Sequence, residues 1–304
     1  LSSTVYISDQ THSSVAKALH IIGIPKRNIK KISSDENFKM NTIELEKNIK
    51  EDLQSGLKPF LVVGSAGTTN TGSIDPIDEI SKIATKYNMW FHLDGAYGAS
   101  ALLSSHRDNL KGIEKADSIT WDGHKWLFQT YGCAAIICKN HRKMLNSFHT
   151  NPEYLKDVES RADDYNFWDL GIELTRPARG VKLWYTLQSV GLDTMRDAID
   201  QGFIIADWIE EEVKKYDDFE IISKSQMGII NFRYFNNKFS EDELNIINQN
   251  ISNKAIEKNY ASFLTTILNG KTVIRFCCNN ALTTKEEIIN IINEIRSYID
   301  EEIK

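Results

Sequence analysis

Asp94 and Lys125 stand 31 positions apart, and the text around each is unlike a solvated surface. Asp94 closes the largely apolar run into His92-Leu93-Asp94-Gly95-Ala96-Tyr97. Lys125 lies in Trp121-Asp122-Gly123-His124-Lys125-Trp126, beside a histidine and among small and aromatic residues. A carboxylate at the end of one buried strand and a lysine at the end of another are what a pyridoxal phosphate site requires. The lysine amine condenses with the cofactor aldehyde, while the acid keeps the pyridine nitrogen protonated so that the ring accepts electrons. The plain alternatives are a surface lysine and a helix-capping aspartate. A lone His-Lys pair would mean little without the acidic strand end ahead of it.

Elements that can position such a pair alternate along the chain. Residues 5–8 read as a strand. Residues 12–22 carry Val15, Ala18, Leu19 and Ile22 at helical spacing and are closed by Gly23. Residues 42–54 form a second helix whose apolar positions are Ile43, Ile49 and Leu53, and residues 60–64 read as a fully buried strand. Asp75-Pro76 supplies an N-cap and a first-turn proline for a helix continued by Ile77, Ile80, Ile83, Ala84 and Tyr87. Strands follow at 89–94, 118–121 and 133–137. This alternation predicts an α/β fold with a mostly parallel sheet, whose ligands bind at strand carboxyl ends, where Asp94 and Lys125 fall.

Beyond residue 151 the periodicity thins. Residues 152–173 are polar, acidic and aromatic and read as an irregular, lid-like loop. A helical stretch over 177–215 is broken near Gly191. Strands near 219–223, 229–235 and 273–277, with helices near 240–258 and 284–303, then suggest a small α+β domain. The expected division is a cofactor-binding large domain over 1–190 and a small C-terminal domain over 191–304.

Composition narrows the function. Lys+Arg 36 against Asp+Glu 42 gives a net charge of −6 over 304 residues, with no basic stripe of the kind nucleic acid demands. The longest apolar runs are strand-length, so no membrane span is expected, and no signal-peptide pattern is present. Cys133, Cys138, Cys277 and Cys278 lack metal-ligand spacing, and no metal is expected. They read as buried, reduced thiols of a cytoplasmic protein.

The motifs together resemble the group II pyridoxal-phosphate-dependent amino-acid decarboxylases over the whole chain. Ser8-Asp9-Gln10-Thr11-His12-Ser13-Ser14 is similar to the family segment whose histidine stacks on the cofactor ring. Gly67-Thr68-Thr69-Asn70-Thr71-Gly72 with Asp75-Pro76 resembles its threonine loop. The segments at 92–97 and 122–126 resemble its pyridine-binding strand and Schiff-base segment. Within the family the text is most similar to bacterial tryptophan (aromatic L-amino-acid) decarboxylases, on 174–180 and 268–273.

The resemblance implies a fold-type I, aspartate aminotransferase-like large domain, pyridoxal 5'-phosphate as cofactor, and a homodimer with shared active sites. It implies that Lys125 is the Schiff-base lysine, Asp94 the pyridinium partner and Ala96 the small residue beneath the ring. It gives His12 the ring-stacking position, against an ordinary cap-region histidine. His124 would donate to the phosphate, and Thr69, more than Thr68, would reach the cofactor. Tyr165, three residues before Trp168, would protonate Cα, against a loop-anchoring aromatic. Asp122 stands where eukaryotic relatives carry asparagine, and an acid cannot face a phosphate, so its contact must be indirect or directed elsewhere.

The family's swapped N-terminal segment and phosphate loop are not in this text, so the resemblance also implies a longer protein. The expected reaction is decarboxylation of an aromatic L-amino acid, tryptophan favoured, to the arylalkylamine (tryptamine) and CO2. A cysteine desulfurase or aminotransferase, or a non-catalytic truncated subunit, remains the alternative.

Overall fold

The structure is a computed structural model that describes residues 2–150, 166–259, 261 and 263–303. The proposed proton donor Tyr165, and most of the expected lid, lie outside the described residues.

Strands β1 (Ser3–Ser8), β2 (Ile29–Ile32), β3 (Lys58–Ser65), β4 (Trp90–Asp94), β5 (Ser118–Asp122) and β6 (Ala134–Cys138) form one sheet in the order β2-β1-β3-β4-β5-β6. Pairing is parallel except for β6, which runs antiparallel to β5 at one edge. Helices α1 (Ser13–Ile21), α2 (Thr42–Gln54) and α3 (Ile77–Lys86) supply the parallel crossovers, and α4 (His141–Phe148) follows β6. Parallel β3 and β4 bring Ser65 beside Asp94, and β5 brings Thr120 to its other side. The ends of β3, β4 and β5 are thereby aligned.

Helix α5 (Gly180–Val213) is kinked at Gly191, where φ is 81° and ψ is 164°. Its middle joins two cores: Met195, Ile199 and Phe203 pack with Phe91, Leu93 and Trp126, whereas Ile205, Ala206 and Ile209 pack with Phe232, Ile274 and Ile295. The second core lies on the antiparallel sheet β7 (Phe219–Gln226), β8 (Ile229–Tyr234), β10 (Lys271–Cys277) and β9 (Leu264–Leu268), covered by α6 (Glu241–Glu257) and α7 (Lys285–Glu302). Ser240 with Glu243, and Thr284 with Glu287, close capping boxes that start α6 and α7. The chain is thus α/β, with a mixed, mostly parallel sheet and a smaller antiparallel one.

Several local expectations are corrected. Asp75 does not cap α3, whose N-cap is Pro76 without a side-chain bond. Its carboxylate turns inward and accepts the Met40 and Ser65 backbone N–H groups, each at 2.7 Å. Helix α2 buries Leu45, Ile49 and Asp52, while Ile43 and Leu53 face solvent. Cys277 is exposed rather than buried. No helix among the described residues is long and apolar enough to cross a membrane.

Candidate active site

Six sequence-selected residues, His12, Thr69, Asp94, Ala96, His124 and Lys125, line one cavity of about 660 Å³ at the carboxyl ends of β3, β4 and β5. That volume lies within the ~300–1,000 Å³ usual for small-molecule sites. A second cavity, of about 670 Å³ and bordered by Asp75, His106 and Asp207, shares none of the six.

Asp94 is the last residue of β4, and its Oδ1 accepts the Ala96 N–H at 3.1 Å, which folds the Gly95-Ala96 turn beneath the carboxylate. The turn then packs closely: a Cβ on Gly98 would lie 2.2 Å from the Ala66 carbonyl oxygen, so only glycine admits this approach. Lys125 follows β5 in a tight loop. Its N–H bonds the Asp122 carbonyl at 3.2 Å, and its own carbonyl accepts the Phe128 N–H at 3.1 Å. Phe128 takes a left-handed φ of 56° to close that turn. The next side chain, Trp126, is fully buried and stacks on Tyr97 at 4.7 Å with the rings 4° from parallel. Asp94 and Lys125 are therefore each followed closely by an aromatic, and the two aromatics pack together.

Asp122 resolves its ambiguous position by facing the lysine. Its Oδ2 is 3.1 Å from Lys125 Nζ and 3.7 Å from His124 Nε2. His124 Nδ1 is 2.7 Å from the Cys133 carbonyl, which can only accept, so Nδ1 carries a proton, and Nε2 points toward the acid. His12 is both the N-cap of α1 and a wall of the cavity. Its Nδ1 accepts the Ser14 N–H at 3.3 Å and lies 2.7 Å from Ser14 Oγ. The Thr68 hydroxyl is buried and bonds Thr71 and Ser73, each at 2.9 Å, whereas Thr69 is exposed on the cavity rim.

The sheet floor adds residues that the motifs did not single out. His92, Thr120, Val63 and Leu61 line the same cavity, and His92 shares its strand face with Asp94 by the two-residue period of β4. Burial lowers the His92 pKa, opposed in part by the Asp94 charge. Tyr97 is half-buried, and desolvation raises its phenol well above the ordinary value; its hydroxyl donates to the Met227 carbonyl at 2.9 Å.

A reachable amine, a strand-end carboxylate and an imidazole near the lysine match the aldehyde, ring nitrogen and phosphate of pyridoxal phosphate in chemical type. The donor set therefore fits that cofactor. Among the described residues no cluster of side chains suited to a metal ion occurs.

The chain is 39% identical over 300 residues to the aromatic-L-amino-acid decarboxylase of Bacillus atrophaeus, covering 98% of this chain and 62% of that protein. It is 33% identical to a phenylacetaldehyde synthase of Arabidopsis thaliana, covering 97% of this chain and 62% of that protein. A crystal structure of Oryza sativa TDC with PLP and tryptamine superposes with a TM-score of 0.94 at 26% identity, over 99% of this chain and 63% of that one. This chain thus spans somewhat less than two thirds of each of these relatives. Residues 2–235 match the pyridoxal-dependent decarboxylase conserved domain, and the chain belongs to that family of pyridoxal phosphate proteins.

Proposed function

We propose that the full-length protein decarboxylates an aromatic L-amino acid, tryptophan foremost, to the arylalkylamine and CO2. The observation that carries this reading is the convergence of Asp94 and Lys125, from the ends of adjacent strands, on one cavity with His12, Thr69, Ala96 and His124. Similarity to the Bacillus enzyme and the tryptamine bound to the rice protein support the aromatic class and the preference for tryptophan.

When bound, pyridoxal phosphate supplies an aldehyde that captures amines and a ring that takes up the electron pair left by departing CO2. Lys125 Nζ, with its side chain 39% exposed, is the amine that would anchor the cofactor and yield to the substrate amine. Asp94 would hold a proton at the ring nitrogen, and that protonated nitrogen would be the fixed positive charge that meets electrons entering the ring. Ala96, a small side chain in the cavity wall, would leave room for the ring. His12, fixed at its cap position by Ser14, would stack its flat imidazole on the cofactor ring and turn a polar edge to the substrate carboxylate. His124 and Thr69 hold the phosphate side, and Asp122 keeps Lys125 oriented when the amine is free. Tyr165 returns a proton to Cα.

The same reading makes the protein a homodimer with shared sites. Phe128 and Tyr131, close to Lys125, are 40% and 91% exposed, and such aromatics are suited to covering by a second subunit. A second reading, formation of an aldehyde with CO2 and ammonia, in which dioxygen takes up two electrons and leaves as hydrogen peroxide, is favoured by the similarity to phenylacetaldehyde synthase. Incubating the purified full-length protein with tryptophan, phenylalanine, tyrosine, DOPA and glutamate, and quantifying amine, aldehyde and CO2, tests both. Tryptamine as the leading product is expected. Amine from glutamate alone overturns the aromatic assignment, and aldehyde with equimolar ammonia favours the second reading.

A further inference from the structure

The threonine loop at the rim of the cavity is held from outside as well as from within. Its stem closes on itself: the Gly67 and Thr68 N–H groups both donate to the Ser73 carbonyl, at 3.1 and 2.9 Å, and the Gly72 N–H donates to the Thr68 carbonyl at 2.8 Å. The Thr68, Thr71 and Ser73 hydroxyls bond one another beneath it. None of these bonds involves Thr69, so its place on the rim is set by the residues beside it.

Asn70, the next residue, is gripped by the antiparallel sheet. Its backbone carbonyl accepts Asn231 Nδ2 of β8 at 3.0 Å, and its side-chain Oδ1 accepts the Thr266 hydroxyl of β9 at 3.0 Å. Ile230 and Phe232, on either side of Asn231, belong to the second core, so Asn231 points the other way by the two-residue period of a strand. Asn231 is fully buried, and its Oδ1 has no hydrogen-bond partner among the described residues. A buried amide with one unpaired end costs stability that an apolar residue would not. The end that is paired is the one that holds Asn70. The loop also presses on the same sheet at Gly72, where φ is 71° and a Cβ would lie 2.2 Å from the Gln226 carbonyl oxygen at the end of β7.

We propose that Asn231 and Thr266 are positioning residues for Thr69: by fixing both oxygens of Asn70 they set where the adjacent Thr69 hydroxyl stands on the cavity rim, and so how well it meets the cofactor. The proposal rests on the reading of Thr69 given above. Among the described residues the antiparallel sheet supplies no side chain to the cavity lining, so it shapes the site by way of one asparagine.

Two measurements on the full-length protein test it. Hydrogen exchange of the cofactor-free protein reports on the loop itself. Peptides spanning residues 66–73 should exchange faster in Thr266→Val, which removes one hydroxyl at nearly constant volume, and as in the wild type in Thr266→Ser. Pyridoxal phosphate affinity is then measured by titration for Thr266→Val, Thr266→Ser, Asn231→Leu, Thr69→Ala, and the first and third combined with Thr69→Ala. Thr266→Val and Asn231→Leu should each weaken binding about fivefold, the scale of one hydrogen bond between uncharged groups. Thr266→Ser should bind as the wild type does, and both losses should vanish in the Thr69→Ala background.

Losses that persist undiminished without the Thr69 hydroxyl would mean a merely structural role and overturn the proposal, as would wild-type exchange of the loop in Thr266→Val. Should Asn231→Leu fail to fold, Thr266→Val carries the same cycle. If Thr69→Ala alone binds the cofactor as the wild type does, the reading of Thr69 fails and the proposal with it. Faster loop exchange in Thr266→Val then shows that the grip on Asn70 was real and that the fault lay in the role given to Thr69.

Discussion

Gly202→Ala is expected to destabilise the protein although glycine-to-alanine changes inside helices normally stabilise by roughly 0.5–1 kcal/mol. The sign of the effect is therefore diagnostic. A Cβ at position 202 would lie 2.7 Å from the Cys278 carbonyl oxygen, 2.9 Å from Trp126 Cζ2 and 3.1 Å from Trp126 Nε1. Neither neighbour can retreat easily. The Trp126 ring is fully buried between Tyr97 at 4.7 Å and Phe203 at 5.1 Å, and Cys278 is tied by its N–H to the Gly228 carbonyl at 2.8 Å. Overpacking of this kind costs about 1–3 kcal/mol. Taking about 2 kcal/mol gives a fall in Tm of about 4–8 °C for a domain of this general size. Because Trp126 adjoins Lys125, the same push should weaken pyridoxal phosphate binding. Thermal unfolding of the cofactor-free variant, with a cofactor titration alongside, measures both. An unchanged or raised Tm with unaltered affinity would refute the packing described between α5, Trp126 and the Cys278 strand end.

Asp94→Ala should lower turnover by several orders of magnitude, because an unprotonated pyridine is a poor electron sink; steady-state kinetics showing less than a tenfold loss would mean that the acid is elsewhere. Tyr165→Phe keeps the ring but removes the proposed proton source, so in air dioxygen should oxidise the unprotonated carbon, and aldehyde, ammonia and hydrogen peroxide should replace amine in a product assay. Amine at the wild-type rate with no aldehyde would transfer that role to His12 or a bound water. Burial pushes the Asp75 carboxyl up to about 6, so the folded state holds this proton more tightly than the unfolded chain. Its contribution to stability is full below about pH 4 and is lost as pH rises through about 6. Urea unfolding across that window should show a shallower pH slope in Asp75→Asn, and an identical slope would show that Asp75 does not titrate there.

Much of the site is legible in the sequence because strand ends and tight turns carry their chemistry in short, contiguous text. Asp94-Gly95-Ala96 and Asp122-Gly123-His124-Lys125 are each a strand terminus followed by a turn that needs small residues, and parallel pairing does the rest. What escapes is the chemistry that only pairing creates. His92 reads as part of a run into Asp94, and its partners Ser118 and Thr120 lie on another strand, so these contacts have no sequence spacing of their own. Burial of polar groups misleads in the same way. Asp75 before Pro76 has the composition of a helix cap, but two buried backbone N–H groups claim its carboxylate.

Short or edge strands are the other omission. Ile29–Ile32 carries two lysines and lacks alternation, yet Lys30 finds Asp52 of α2 at 3.1 Å and the strand pairs with β1. Leu264–Leu268 is an edge strand with Leu264 and Ile267 exposed, so no buried pattern marks it. Helix α2 has the expected bounds, but Ile43 and Leu53 do not face inward. Asp52 takes an inward position because Tyr6 donates to it at 2.8 Å and Lys30 pairs with it.

The covalent anchor is the most direct point of attack on this reading of the site. The full-length protein, loaded with pyridoxal phosphate, would be reduced with borohydride, digested and mapped by mass spectrometry. A phosphopyridoxyl group on Lys125, absent from Lys125→Ala, is the expected result. The same label on any other lysine, or none on a protein that still decarboxylates with bound cofactor, would contradict it.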